Sequence, residues 1–134
     1  MIYFKCEVNS MAVDIFQFSP VELYVLMFLR EEDAHGYQLV QNLEKFSDGF
    51  LTVKTASLYP ILYKLEKNGC ISSYELFVES TKARTGRKSG RMRVVYHIEE
   101  PGYARLEELL KVNEEFAKGS DILIAKLKGE VHND

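Results

Sequence analysis

Residues 55 to 71 read TASLYPILYKLEKNGCI, and residues 81 to 98 read TKARTGRKSGRMRVVYHI. In the first stretch Leu58, Ile61 or Leu62, and Leu65 recur at helical spacing, and Asn68-Gly69 offers the left-handed residue that closes a helix. The pattern predicts a helix from about Thr55 to Asn68. Pro60 costs one internal hydrogen bond if Thr55 is the cap and none if Ser57 is; a start near Thr55 with a local distortion is expected. Between the two stretches, Ile71 to Glu79 shifts to β-branched and aromatic residues (Ile71, Tyr74, Phe77, Val78), which suits a strand. Ser80 to Gly90 is polar, basic and broken by glycines, a loop. Met92, Val94, Tyr96 and Ile98 then alternate with Arg91, Arg93, Val95 and His97, a return strand with one face in the core.

Upstream, Ser19-Pro20-Val21-Glu22 is a helix start: Ser19 can accept early backbone N–H groups, Pro20 suits the first position and Glu22 completes a capping box. That helix runs to about Arg30 and is apolar on most faces, so it should be well buried. Asp33 is read as the cap of a second helix, Ala34 to Phe46, with Tyr37, Val40, Leu43 and Phe46 as its apolar stripe; Ser47-Asp48-Gly49 ends it. Three helices followed by a hairpin with a basic tip define a mainly α (α+β) fold, a winged helix-turn-helix with a two-stranded wing. Beyond it, Pro101 opens a long helix from Gly102 to about Ala117, and Gly119-Ser120-Asp121 should kink or restart it. Three segments follow: 1–18, an N-terminal arm or extra helix; 19–98, the winged helix; and 99–134, a C-terminal dimerisation helix.

The chain has 134 residues, 46% of them apolar and 28% charged, the balance of a globular domain with a real core. No apolar run approaches a membrane span, and the start MIYFKCEVNSMAVD lacks the basic-then-apolar pattern of a signal peptide. Cys6 and Cys70 stand far apart and no histidine pairs with either at zinc-ligand spacing, so neither a disulfide scaffold nor a metal is expected and a cytoplasmic location suits the chain. Cys70 reads as a small buried hydrophobe. No cofactor is expected. No catalytic triad, paired carboxylate site or phosphate-cradling loop is present, and GRKSG at 86–90 is too short for a P-loop and lies on a hairpin; the chain is not read as an enzyme.

Net charge is −3, yet residues 81 to 98 hold Lys82, Arg84, Arg87, Lys88, Arg91 and Arg93 with no acid. An acidic body with one concentrated basic segment suits double-stranded DNA as partner, because a local patch, not the overall balance, meets phosphates. A basic run can also be a solvated loop, and a winged helix used only for protein contact or assembly is the alternative function.

Three separated motifs resemble the PadR family of bacterial transcriptional regulators. Leu58-Tyr59-Pro60 with Leu62, Leu65-Glu66, Asn68-Gly69 and Ile71 is similar to its third-helix signature. His35-Gly36-Tyr37-Gln38-Leu39 looks like its second-helix motif, and Ser89-Gly90-Arg91-Met92-Arg93 with Tyr96 like its wing strand. Gly102 and Leu106 match the opening of its last helix, so the match covers about 19 to 110, and the short C-terminus is similar to the smaller subfamily. The resemblance implies a homodimeric, ligand-responsive repressor. Departures are Lys54-Thr55-Ala56 where many members have serine-proline-glycine, and Glu99 where a capping threonine is usual. The chain also lacks the tryptophan with which some members hold planar drugs, Asn113 lying near that place.

The DNA-contacting set is then Lys54, Thr55, Ser57, Tyr59, Tyr63 and Lys64 on or before the third helix, and Arg84, Arg87, Lys88 and Arg91 on the wing. Lys67 is a further outward candidate. Thr55 and Ser57 lie where helix N–H groups favour phosphate, and Tyr59 and Tyr63 share a face, unless Tyr59 packs inside. Wing arginines can straddle a narrow minor groove; Arg93 pairs with an acid on the body or joins them. His35 is read as a helix-start histidine bonded to backbone. The last helix offers Tyr103, Leu106, Leu109, Leu110, Val112 and Phe116 for an isologous dimer interface. Tyr103, Leu106, Leu110 and Asn113 are placed at an effector pocket.

Overall fold

A computed structural model describes residues 3–6, 11–14, 19–80 and 89–129. In chain order these form β1 (Tyr3–Cys6), β2 (Met11–Asp14), α1 (Pro20–Glu31), β3 (Ala34–His35), α2 (Gly36–Phe46), α3 (Thr55–Lys67), β4 (Ile71–Ser80), β5 (Ser89–Ile98) and α4 (Glu100–Leu127). β1 and β2 are an antiparallel pair. Pro20–Arg105 is one compact unit holding the winged helix. Among the described residues no helix is long and apolar enough to cross a membrane.

α1 starts at Pro20, whose missing N–H costs nothing there, and Leu23, Val25, Leu26, Phe28 and Leu29 are buried around most of its girth. Asp33 does not cap the next helix. Ala34 and His35 first pair with Tyr96 and Val95 of β5, so α2 begins only at Gly36 and His35 is its cap. The Asp33 carboxylate instead accepts the Tyr74 hydroxyl at 2.8 Å and meets His97 Nδ1 at 2.7 Å.

The inward face of α2 is Leu39 and Leu43, both essentially inaccessible, whereas Tyr37 and Phe46 are 52% and 72% exposed. The predicted stripe at steps of three fails for a geometric reason: each step falls about 60° short of a full turn, so four such residues wind halfway round the helix. Asp48 and Gly49 both take positive φ, and the Gly49 N–H reaches back to the Glu44 carbonyl at 2.8 Å, ending the helix where expected.

In α3 the cap is Lys54, with extended backbone and no side-chain capping bond. Leu58, Leu62 and Leu65 are buried. Pro60 lies inside the helix and removes the N–H that would bond the Ala56 carbonyl. Gly69, at φ 75°, lets the Cys70 N–H return to the Leu65 carbonyl at 2.9 Å, and Cys70 is buried as expected of a small hydrophobe.

The sheet order is β3-β5-β4, antiparallel throughout, with β4 and β5 in register from Ile71↔Ile98 to Ser80↔Ser89. The wing strands are therefore longer than predicted: Ser80, Ser89 and Gly90 are ladder residues, not loop. Gly90 is required, since a Cβ there would fall on the Val78 carbonyl oxygen and within 2.6 Å of the Phe77 ring. Only the basal half of β5 enters the core, through Val95, Tyr96 and Ile98, while Met92 and Val94 are exposed.

α4 is one uninterrupted helix of 28 residues, roughly 42 Å at 1.5 Å per residue. It does not restart at Gly119-Ser120-Asp121, because intrahelical bonding tolerates one glycine at about 1 kcal/mol. Pro101 takes its second position, not its first. Its entry is fixed by the Glu99 N–H on the Cys70 carbonyl at 2.9 Å and the Ser72 hydroxyl on the Glu99 carboxylate at 2.7 Å.

Candidate nucleic-acid interface

β3 is only two residues long, so among the described residues no strand pairs with that edge of β5 beyond Val95 and Tyr96. Around that edge lies a cleft of about 620 Å³ lined by His35, Gly36, Tyr37, Thr55, Tyr59, Arg91, Met92, Arg93, Val94 and Tyr96. Three elements converge there. α2 contributes its first turn, α3 its first residue and one tyrosine a turn later, and β5 its two arginines. The N-terminal ends of both helices carry partial positive charge, and the arginines add two full charges. A site built this way favours an anion with several oxygens, and the phosphates of a nucleic-acid backbone have that chemistry.

His35 is held on both sides: the Gln38 N–H donates to its Nδ1 at 3.2 Å, and its own N–H donates to Gln38 Oε1 at 3.0 Å. Burial, then Arg93, then Arg91, push the imidazole below its ordinary pKa, so it stays neutral beside the two cations. The Tyr59 ring lies over Gly36, where an added Cβ would sit 3.6 to 3.7 Å from it. The ring is half exposed, so this tyrosine does not pack inside. Burial, with the neighbouring Tyr59 and Glu66, raises the Tyr96 hydroxyl, which therefore remains a proton donor across the physiological range.

Of the residues expected from sequence, Thr55, Tyr59 and Arg91 line the cleft. Lys54, Ser57, Tyr63 and Lys64 are exposed on or next to α3 outside it, as is Lys67. Arg84, Arg87 and Lys88 lie outside the described residues. Arg93 joins the cleft, and among the described residues no acid pairs with it. Sequence reasoning missed Tyr37 and the place of His35 in the cleft. The step-of-three pattern assigned Tyr37 to the core, and a two-residue strand such as β3 leaves no periodicity from which the docking of α2 on β5 could be read.

Of the residues expected at a dimer surface, Leu106, Leu109 and Val112 are buried. Leu110 and Phe116 are part-exposed and Tyr103 is 41% exposed, while Ile122, Leu123, Ile124 and Leu127, on the last turns of α4, are open to solvent. Of the residues placed at an effector pocket, Leu106 is buried, and Tyr103, Leu110 and Asn113 remain accessible in full or in part.

Three helices, a β-ribbon wing and a cationic cleft at the wing's edge define a winged helix-turn-helix regulator. The model of the transcriptional regulator PadR-like family matches residues 25–108, and the chain belongs to that family. It is 31% identical over 103 residues to the transcriptional regulator Rv3488 of Mycobacterium tuberculosis, a match spanning 77% of this chain and 84% of that one. Among solved structures, a PadR-like transcriptional regulator from Bacillus cereus is 26% identical with a TM-score of 0.59, over 78% of this chain and 90% of that one. PadR of Bacillus subtilis, solved in complex with operator DNA, is 22% identical with a TM-score of 0.55, over 69% of this chain and 48% of that one. The latter shares the fold.

Proposed function

We propose that this chain is a sequence-specific DNA-binding repressor that acts as a homodimer on a palindromic operator and responds to a small-molecule effector. The observation that carries the DNA reading is the meeting of Arg91 and Arg93 with the first turns of α2 and α3 in one cleft. In this reading Thr55, Tyr59 and Arg91 hold the backbone in the cleft, with Lys54, Ser57, Tyr63 and Lys64 along the exposed side of α3 and Arg84, Arg87 and Lys88 at the wing tip. Dimerisation uses the accessible apolar residues of α4, which doubles the contacts and matches a two-fold operator. Effector response is assigned to the α4 face carrying Tyr103, Leu110 and Asn113.

Selection of genomic fragments by the purified protein, with and without cell extract, tests all three parts. The expected yield is a small set of fragments sharing an inverted repeat with half-sites about one DNA turn apart, released by extract. Uniform recovery of all fragments, or of none, contradicts the reading.

A further inference from the structure

We infer that His35 is a DNA-backbone contact as well as the cap of α2, donating its Nε2–H to a phosphate held between Arg91 and Arg93; this rests on the DNA reading above. The geometry fixes the tautomer. Nδ1 accepts the Gln38 N–H, so in the neutral ring the proton must reside on Nε2. The reciprocal bond from the His35 N–H to Gln38 Oε1 holds the residue in place, and among the described residues Nε2 has no partner. The ring lines the cleft that contains both arginines. An N–H donor with no protein partner among the described residues, on a ring that lines one cleft with Arg91 and Arg93, is complementary to an oxyanion and to no cation. Protonation would convert Nδ1 into a second donor facing the Gln38 N–H and would break the cap, so the neutral ring is the form that does both tasks.

A neutral donor displaces no counterion, which separates His35 from the arginines: its loss should weaken binding without changing the salt slope. His35→Ser and His35→Asn both keep an N-cap acceptor, but only asparagine also keeps an N–H donor beside it. With a short random-sequence duplex at low salt as probe, His35→Asn is expected to bind within about threefold of the parent. His35→Ser is expected to bind about tenfold more weakly, the loss of one hydrogen bond to a charged group, with an unaltered slope. In the full chain labelled with ¹⁵N-histidine, the Nε2–H resonance of His35 should move downfield when the duplex is added, while Nδ1 stays unprotonated. Parental affinity in His35→Ser, or a duplex that shifts other resonances but leaves His35 Nε2 unmoved, overturns the inference while leaving the DNA reading intact. A duplex that moves no resonance at all removes both.

Discussion

Arg105 Nε donates to Glu22 Oε1 at 2.9 Å, tying the first turns of α4 to the start of α1 across a carboxylate only 4% exposed. A buried carboxylate that loses its cation leaves a desolvated charge behind, which costs more than the pair itself contributes. Arg105→Met is therefore expected to lower stability by about 2 to 3 kcal/mol. Glu22→Gln, which removes the charge and keeps an acceptor, should cost less. Urea denaturation with an unchanged m-value checks both, and equal losses in the two variants would contradict the ordering.

At Gly102 an added Cβ would land on the Cys70 carbonyl oxygen and 2.7 Å from Ile98 Cγ1. Neither can retreat easily, because Cys70 is fixed by its bond from Glu99 and Ile98 is in the core. Gly102→Ala should destabilise the chain by about 2 to 3 kcal/mol despite improving helix propensity, measured as a fall in thermal midpoint. An unchanged midpoint would show that the α4 entry is loosely packed.

The three helices and the wing were legible because each rests on local chemistry: Pro20 at a first turn, Gly69 at a helix end, alternation in β5. The core face of α2 was not, since Leu39 and Leu43 stand out only once the helix is placed against its neighbours. Part of the cleft was equally hidden. Tyr37 and Arg93 acquire their position from the pairing of Ala34-His35 with Val95-Tyr96, a contact between residues about 60 apart in the chain with no composition signal of its own.

The Asp33–His97 pair makes stability depend on pH. The hydrogen bond to Asp33 raises His97 above its ordinary 6.5 against a smaller opposing effect of burial. Burial alone would raise Asp33, but the bonds from His97 and Tyr74 outweigh it and hold the carboxyl below 3.8. A raised histidine contributes fully below pH 6.5 and less as pH climbs through its folded value; a depressed carboxylate contributes above 3.8 and less as pH falls through its folded value. The difference in thermal midpoint between the parent and Asp33→Asn should thus be greatest between those limits and shrink on the alkaline side. A difference that grows above neutral pH would contradict the pairing.

On α4, Phe116, Leu123 and Leu127 fall along one face, at steps of seven and four, and the two leucines are 61% and 86% exposed. Exposed apolar rows of this kind mark association surfaces. Sedimentation velocity should give a dimer at micromolar concentration, and Leu123→Asp with Leu127→Asp should shift it to monomer. A parent chain that sediments as a monomer would remove α4 as the interface.

Under the proposed function, Arg91 and Arg93 meet DNA phosphates in the cleft beside α2 and α3. Fluorescence anisotropy of a labelled duplex carrying the selected operator, titrated across salt concentrations, measures this most directly. Replacing both arginines by glutamine should weaken binding and flatten the log-log salt dependence by about 1.8, two contacts at roughly 0.9 each. A double variant with the parental affinity and the parental slope would contradict it.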